Sequence, residues 1–267
     1  MSSPQDRIKA AAALWSLGDY DQIAPYLEPV AETTVDACII HSGERVLDVA
    51  AGTGNAALAA ARRGAEVTAL ELTDALRERG ARRSAAAGAP VAWAAGNVEQ
   101  LPFEDGAFDV VVSVLGVMFA AVPQRAADEL LRVVRPGGRI AIAGWRRDGA
   151  SGALTGALMD YMSAPPGISD PHDWGDPDRI AGWLGDGVEQ LRCELRTVSW
   201  QVPAAEDLVV LLEEHAAAFV AARTHLGPER WAAARADLLA VIDDRGHATT
   251  DGFTLDWDYL LVTARRR

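Results

Sequence analysis

The sequence has very little cysteine or lysine and no long apolar run. Of its 267 residues two are cysteines, Cys38 and Cys193, and Lys9 is the only lysine. Two cysteines so far apart exclude a disulfide-rich scaffold and give no spacing for a zinc site or a redox dithiol. No segment approaches the roughly 20 apolar residues of a membrane span, and the first residues lack the features of a signal peptide. We therefore expect a cytoplasmic protein with no membrane partner.

Positive charge is also scarce. The chain has 25 basic against 38 acidic residues, a formal net charge of -13. A strongly acidic chain repels phosphate backbones, so we expect no nucleic-acid partner. Its densest basic run, Arg77, Arg79, Arg82 and Arg83, is interleaved with Glu78 and has no alternating aromatic residues for base stacking, so we interpret it as a solvated helix face.

Short apolar runs alternate with helical stretches between residues 45 and 144. This alternation is typical of a parallel sheet with crossover helices. Right-handed crossovers would give a doubly wound, Rossmann-like α/β sheet. The pattern predicts strands at 45–50, 66–71, 91–95, 108–113 and 139–144, and helices at 54–63, 74–87 and 123–134.

The two flanks have a different pattern. Residues 5–40 predict two helices separated by a break at Gly18-Asp19, and we expect them to form a lid. The C-terminal part predicts a mixture of helices and two strands, which we expect to be an antiparallel edge that completes a mostly parallel seven-stranded sheet. Its predicted helices lie at 152–162, 177–185, 205–222 and 228–244, and its predicted strands at 190–202 and 253–264.

A glycine-containing loop after the first strand is the most informative motif. Gly52 and Gly54 precede the first crossover helix, where glycines let backbone N–H groups approach a ligand. With Ala57 they also satisfy the dinucleotide fingerprint, so an NAD(P)-dependent oxidoreductase is a competing interpretation. Glu71, at the end of the second strand, would accept hydrogen bonds from a ribose in either case.

Five landmarks in order distinguish the two interpretations. The first is the acidic-led loop from Asp48 to Gly54, and the second is Glu71-Leu72. The other three are residues 96–103 (GNVEQLPF), 108–113 (FDVVVS) and 131–138 (LRVVRPGG). Residues 45 to 145 thereby resemble class I S-adenosylmethionine-dependent methyltransferases, in the group similar to ubiquinone/menaquinone-biosynthesis and small-molecule methyltransferases.

The resemblance implies specific contacts with S-adenosylmethionine. Asp48 would orient the loop and meet the methionine amino group, and Glu71 would hold the ribose diol. Leu72 and Val98 would lie on the two adenine faces. Asn97 stands where the family usually has an aspartate that accepts from the adenine amino group, and an asparagine oxygen can accept the same bond.

The remaining implied contacts follow the backbone of the first and fourth strands. Ala50, Gly52 and Gly54 would lie against the cofactor, although alanine at position 50 departs from the glycine that is common there. Ser113 and Val114 would border the methionine arm and the transferable methyl group.

The lid and the C-terminal half supply the remaining candidates. Trp15 and Tyr20 would contact the methionine end or the cationic sulfur. A general base for the acceptor is sought among His172, Asp173, His215, His225 and Tyr161, of which His215 and His172 are our catalytic candidates; His215 falls on the apolar face of its helix. Met118 and Phe119 are expected in the pocket wall, and the several tryptophans favour an apolar or aromatic acceptor.

Together these observations predict one methyltransferase domain over 1–267. It would comprise a helical lid (1–40), a cofactor-binding core (41–145) and substrate-side insertions (146–188 and 204–246). The expected reaction transfers a methyl group from S-adenosylmethionine to oxygen, nitrogen or carbon of a small organic metabolite, in secondary metabolism, leaving S-adenosylhomocysteine. We expect no metal ion, because scattered histidines and aspartates give no ligand spacing, and a monomer or homodimer. A protein that uses the same cofactor in a non-methylating reaction is a further alternative.

Overall fold

The computed structural model describes residues 4–162 and 169–267. The strands are β1 Arg45–Val49, β2 Glu66–Glu71, β3 Val91–Ala95, β4 Phe108–Val114, β5 Val134–Trp145, β6 Val188–Val202, β7 His247–Thr249 and β8 Gly252–Arg266. The helices are α1 Pro4–Trp15, α2 Tyr20–Ala37, α3 Asn55–Arg62, α4 Asp74–Ala86, α5 Pro123–Val133, α6 Ala150–Met159, α7 Pro177–Leu184, α8 Ala205–His215 and α9 Ala217–Arg245. No helix among them is both long enough and apolar enough to cross a membrane.

The sheet has the strand order β3-β2-β1-β4-β5-β8-β6, and the short β7 pairs with β8 outside this path. Strands β1 to β5 are parallel, which confirms the predicted doubly wound core. Strand β8 is antiparallel to both β5 and β6. The antiparallel strand therefore lies one place in from the edge, and β6 at the edge runs in the same direction as the core strands.

Small residues let the crossover helices approach the sheet closely. Helix α3 buries five consecutive residues from Ala56 to Ala60, four of which are alanines. Helix α4 approaches β3 because Gly80 has no side chain: a Cβ at Gly80 would lie 2.0 Å from the Trp93 ring. The Trp93 indole fills that space and donates to the Ser84 hydroxyl at 3.2 Å. Because β1, β2, β3 and β4 are parallel, their carboxyl ends all lie at the same edge of the sheet.

The prediction of one helix over 205–222 is wrong. Helix α8 ends at His215, Ala216 has extended backbone (φ -86°, ψ 119°), and α9 begins at Ala217. The helix predicted at 228–244 is confirmed as the second part of α9, which is kinked at Gly227 (φ 72°) immediately before Pro228. The break after α8 faces the break between α1 and α2, where a Cβ at Gly18 (φ 74°) would lie 2.2 Å from the His215 carbonyl oxygen.

The arginine run on α4 is mostly paired instead of solvated. Arg77 pairs with Asp74, and Arg79 pairs with Asp19 at the start of α2. Arg83 pairs with Glu28 of α2 at 3.0 Å. Of these four arginines, Arg82 alone is exposed and has no ion pair with a described residue. Arg79 and Arg83 therefore pair with acidic residues of α2 and its N-cap, which the local sequence around α4 cannot show.

Of the predicted insertion 146–188, residues 163–168 lie outside the described residues, as do residues 1–3 of the predicted lid. The short helices that flank the gap agree with the prediction to within a few residues. Asp176 caps α7 by accepting from the Asp178 N–H at 2.9 Å, and Pro177 occupies the first helical position, as predicted.

Candidate functional site

A cavity of about 240 Å³ opens at the carboxyl ends of the parallel strands, under helix α1. Its floor consists of the loops after β1, β2, β3 and β4, and its roof consists of one face of α1 together with the start of α2. All but two of the predicted cofactor-binding residues line it. They are Trp15, Tyr20, Asp48, Ala50, Gly52, Glu71, Leu72, Asn97, Val98 and Val114.

Glu71 is a polar group of the floor that two backbone hydrogen bonds hold in place. Its side chain is buried, and its two carboxylate oxygens accept from the backbone N–H groups of Gly52 and Thr73, each at 2.8 Å. The carboxylate therefore connects the glycine loop to the end of β2. Each oxygen keeps a second acceptor position, so both could also accept from a ligand hydroxyl.

Asp48 lies beside Glu71 at the end of β1 and is buried as well. Its carboxylate accepts from the Ala57 N–H at 2.8 Å, which fixes the first turn of α3. Burial raises the pKa of the Asp48 carboxyl to about 7; the Ala57 hydrogen bond opposes this rise, and the Glu71 carboxylate adds to it. Two adjacent buried carboxyl groups thus make this end of the cavity receptive to a cationic group.

The glycine loop has an unusual backbone at Ala50. This residue is left-handed (φ 55°), a conformation that costs a non-glycine residue roughly 1 kcal/mol, and Leu115 on the adjacent loop shares it (φ 56°). Gly116 accommodates the extra methyl, because a Cβ at Gly116 would lie 2.5 Å from the Ala50 carbonyl oxygen and 2.7 Å from its Cβ. This chain has alanine where the family commonly has glycine, and Gly116 on the facing loop leaves the space that the alanine methyl group needs.

Gly54 and Ser113 are the two predicted residues that do not line the cavity. Gly54 immediately precedes α3, and Ser113 lies near the end of β4. Gly54 is the left-handed residue (φ 89°) before the first turn of α3. Ser113 is fully buried; its hydroxyl donates to the Val49 carbonyl at 2.7 Å and accepts from the Val117 N–H at 3.0 Å. These residues shape the loops that contact the ligand space instead of facing it.

Asn97 forms a local turn after β3. Its side-chain oxygen accepts from the Glu99 N–H at 3.1 Å. The amide nitrogen of the Asn97 side chain forms no hydrogen bond with a described residue, so the side chain presents a donor as well as a remaining oxygen lone pair. Glu99, which the sequence did not single out, also lines the cavity and accepts from the Val122 N–H at 3.1 Å.

Aromatic rings cover the opposite side. Trp15 lies edge-on to Phe119 with ring centroids 4.5 Å apart, and Tyr20 lies 6.1 Å from Trp15. Burial raises the pKa of the Tyr20 hydroxyl to about 12, and the Glu71 carboxylate contributes to the rise, so Tyr20 is a hydrogen-bond donor at neutral pH. Met118 is buried beneath this layer, whereas Phe119 faces the cavity.

Arg83 anchors the floor to the lid. Its guanidinium donates to the Thr53 carbonyl at 3.0 Å and to the Asn55 side-chain oxygen at 2.8 Å. The Asn55 amide in turn donates to the Ala24 carbonyl of α2 at 2.8 Å. The glycine loop is therefore held from above by α2 and from the side by α4, contacts that sequence patterns did not reveal.

Neither predicted catalytic histidine lines the cavity. His172 is 4% exposed and is held between Asp170 (Nδ1 to Oδ1, 2.8 Å) and the Ser151 hydroxyl (Nε2 to Oγ, 3.0 Å). His215, at the end of α8, is half-buried, and its Nδ1 has no partner among the described residues. These positions support structural roles for both histidines. The helical periodicity and the loop position predicted that the residues are buried, but they could not predict whether each side chain faces the core or the cavity.

The other proposed bases also lie elsewhere. Tyr161 donates to Asp237 at 2.6 Å, and Asp173 pairs with Arg147 at 2.9 Å. His225 is exposed on α9. Within residues 4–162 and 169–267, no histidine reaches the cavity and no cluster of three or more potential metal ligands exists.

The tryptophans noted in the flanks form part of the core instead of the pocket. Trp174 packs on Trp183 with centroids 4.9 Å apart, and Trp200 packs on Trp257 at 4.5 Å. Trp145 in turn contacts Trp257 at 5.6 Å. These rings stabilise the sheet and its covering helices, so their abundance carries no information about the acceptor.

The chain is similar in sequence to one described protein family and to several individual proteins. Residues 47–142, from β1 into β5, match the family described as a methyltransferase domain. An uncharacterized protein of Mycobacterium tuberculosis is 35% identical over 268 residues, 98% of this chain and 97% of that protein. Another from the same species is 44% identical over 182 residues, 67% of this chain and 66% of that protein, just under two thirds of its length. A demethylmenaquinone methyltransferase of Clavibacter sepedonicus is 43% identical over 101 residues, 38% of this chain and 41% of that protein.

Solved structures with the same fold extend over most of the chain. The YcgJ protein of Bacillus subtilis superposes with a TM-score of 0.60 at 16% identity, covering 89% of this chain and 97% of that chain. The [4+2]-cyclase SpnF gives 0.56 at 21% identity, with 90% and 81% covered. A geranyl diphosphate methyltransferase in complex with GPP and sinefungin gives 0.54 at 18% identity, with 90% and 78% covered. The sequence match and the shared fold together place the chain in the family of class I S-adenosylmethionine-dependent methyltransferases.

Proposed function

We propose that the protein transfers a methyl group from S-adenosylmethionine to an oxygen, nitrogen or carbon atom of a small organic molecule. The observation that carries the proposal is the pair of buried carboxyl groups, Asp48 and Glu71, at a glycine loop that opens into a cavity. In this proposal the cytoplasmic location, the role in secondary metabolism and the monomer or homodimer state remain predictions.

The residues of the floor fit the proposed cofactor. Glu71 has free acceptor positions for a ribose diol, and Asp48 is placed for a methionine amino group. A Cβ at Gly52 would meet no atom within 4 Å, so the loop leaves open space above itself at that point. Leu72 and Val98 line the cavity on the loops after β2 and β3, where they would hold an adenine ring.

When bound, S-adenosylmethionine supplies an electrophilic methyl group, and the protein supplies placement and a dry environment. Helix α1 borders the cavity with Trp15 and Ala11, and in the proposed reaction these side chains would limit the access of water to the methyl group. Tyr20 donates from the roof, and Asp48 and Glu71 accept from the floor. These contacts hold the reacting groups in line, which is the main requirement of a methyl displacement.

The described residues do not include a histidine placed to deprotonate the acceptor. Asp48, Glu71 and Glu99 are the cavity residues that could accept a proton. The proposed reaction assigns Asp48 and Glu71 to the cofactor and uses an acceptor that is sufficiently nucleophilic once it is oriented and desolvated. A phenolate, an enolate carbon or an amine near its pKa meets this condition. We accordingly assign neither His172 nor His215 a part in the methyl transfer.

Two measurements test the proposal. Isothermal calorimetry should show micromolar binding of S-adenosylhomocysteine and no binding of NAD(H) or NADP(H); nicotinamide binding alone would instead establish an oxidoreductase. Incubation with methyl-labelled S-adenosylmethionine and an extract of the source organism should then label a small molecule. Tight cofactor binding without any labelled product would support a non-methylating reaction instead.

A further inference from the structure

The cavity extends beyond the part that the proposed cofactor contacts. Its floor comes from the loops after β1, β2 and β3, but a second region is formed by α1, by the turn Val117–Phe119 with Ala120 and Ala121, and by Arg125 of α5. None of the cofactor contacts implied by the family resemblance, Trp15 aside, belongs to this second region. It is therefore the space available to the methyl acceptor.

The wall of this region is apolar and aromatic. Helix α1 presents Ile8, Ala11 and Trp15 on one face, at the spacing of successive helical turns. Opposite them, Phe119 is 41% exposed although it is a large apolar ring, and it meets the edge of Trp15. An exposed Phe119 ring against a half-buried Trp15 on the wall of a cavity favours an apolar or planar ligand body.

The charged groups of the cavity are unevenly distributed. Asp48 and Glu71 lie on the floor, and Glu99 is held by the Val122 N–H at 3.1 Å. Arg7 and Arg125 belong to the helices that border the acceptor region. Asp48 and Glu71 therefore lie at the strand ends, Glu99 contacts the N-terminal end of α5, and the two basic residues lie on α1 and α5.

Arg125 differs from most arginines of this chain. It is exposed in the first turn of α5, and its guanidinium forms no hydrogen bond or ion pair with any described residue. By contrast, Arg83, Arg132, Arg139 and Arg147 are all engaged with carboxylates. The Glu99 carboxylate accepts from the Val122 N–H at the N-terminal end of α5, so it offsets the partial positive charge of that helix end. The unpaired Arg125 guanidinium is therefore a positive group that this part of the cavity offers to a ligand.

We propose that the methyl acceptor combines an apolar body with an anionic group, a carboxylate or a phosphate. The apolar body lies against Trp15 and Phe119, and Arg125 binds the anionic group at the rim of the cavity. A guanidinium suits both anions because its planar N–H groups pair with two oxygens at once. The inference rests on the proposed methyl-transfer function and specifies its substrate class.

The test uses the full chain saturated with S-adenosylhomocysteine. Benzoate, 2-naphthoate and decanoate are titrated by calorimetry beside their uncharged amides, and 2-naphthyl phosphate is titrated beside 2-naphthol. At least one acid should bind about tenfold more tightly than its amide or alcohol, as a charge-assisted contact of about 1.4 kcal/mol or more implies. Arg125→Gln should remove that difference and leave the affinity of the neutral compound unchanged.

Arg82→Gln is the matched control, because Arg82 is also exposed and unpaired among the described residues but lies on α4 outside the cavity. It should preserve every affinity. The proposal is overturned if no acid binds more tightly than its neutral partner, or if Arg125→Gln leaves the preference intact. It is also overturned if Arg125→Gln weakens S-adenosylhomocysteine equally, since Arg125 would then serve the cofactor. Failure of the unmodified protein to bind S-adenosylhomocysteine at all would instead refute the proposed function.

Discussion

The floor and the roof of the cavity are built by different means. On the floor, carboxylates are fixed by backbone N–H groups, as Glu71 is by Gly52 and Thr73. In the roof and the acceptor region, side chains meet side chains, as Trp15 meets Phe119. Backbone contacts demand particular loop conformations, whereas side-chain walls can change without altering the sheet. In the proposed function, the floor would mainly hold the cofactor, and the side chains of the acceptor region would select the acceptor.

The largest expected effect is at Glu71. Glu71→Ala removes the acceptor for two backbone N–H groups and for the ribose hydroxyls, so we expect at least a hundredfold loss of S-adenosylhomocysteine affinity by calorimetry. Glu71→Gln keeps one carbonyl oxygen and should lose less. Circular dichroism of the free proteins would show whether the fold persists. Equal affinity of Glu71→Ala and the unmodified protein would contradict the assignment of the floor to the cofactor.

The next effect tests the match between Ala50 and Gly116. Gly116→Ala forces a Cβ to within 2.5 Å of the Ala50 carbonyl oxygen, so the loops must separate. We expect a loss of about 1–3 kcal/mol of unfolding free energy, measured by urea denaturation, and a tenfold or greater loss of cofactor affinity.

Ala50→Gly tests the same contact from the other loop. It removes one of the two clashing atoms and the left-handed strain at position 50, so the double variant should recover part of both losses. Additive effects of the two substitutions would show that the loops do not communicate through this contact.

The third effect concerns pH. Because the folded pKa of Asp48, about 7, lies above the ordinary value of about 3.9, the folded protein binds more protons than the unfolded chain between about pH 4 and 7. The free energy of unfolding should therefore fall as pH rises through that range, by at most about 1.4 kcal/mol per pH unit from this group. Urea denaturation of the free protein at several pH values measures the slope.

Asp48→Asn is the control for the pH effect. The amide keeps an acceptor for the Ala57 N–H but does not ionise, so the slope should flatten. Cofactor binding should respond in the opposite sense: a cationic amino group favours the charged carboxylate, and affinity should increase up to about pH 7. An identical pH profile in the variant would exclude Asp48 as the titrating group.

The smallest expected effect on the cavity comes from a change below the floor. Gly80→Ala would bring a Cβ within 2.0 Å of the Trp93 ring and should cost about 1–3 kcal/mol of stability. Cofactor affinity should stay within about twofold, because neither residue lines the cavity. Gly156→Ala is the matched control: it is exposed in α6 with open space around it, so it should stabilise the protein by about 0.5–1 kcal/mol. A strong loss of affinity in Gly80→Ala would show that floor and sheet are not independent.

The floor could be predicted because it follows directly from local sequence. Strands β1, β2 and β3 end at residues 49, 71 and 95, so Gly52, Glu71 and Gly96, at or just after those ends, lie at one edge of a parallel sheet. The parallel core and most helix bounds followed from the same periodicity. The departure from glycine at position 50 could be read from the sequence, but its compensation by Gly116 required the structure.

The roof could be predicted only in part: the lid helices with Trp15 and Tyr20 were expected over the ligand, but the way the distant segments pack together was not. The face of α1 that contains Ile8 and Trp15 has no local signal that says which cavity it covers. His215 lies on an inward helix face, but periodicity cannot distinguish a core from a pocket. The end of α8 at Ala216 also depends on a neighbour, since the chain there packs against Gly18 from the other end of the sequence.

The contact between Gly18 and the His215 carbonyl has a consequence for how the protein can vary. The break that separates α1 from α2 and the break that separates α8 from α9 touch without room for a methyl group. The N-terminal and C-terminal parts of the chain therefore contact each other at this point through backbone atoms. A substitution in α1 that changes the shape of the roof must therefore remain compatible with the backbone at the end of α8. We expect changes in these two segments to accompany each other in relatives that accept a different substrate.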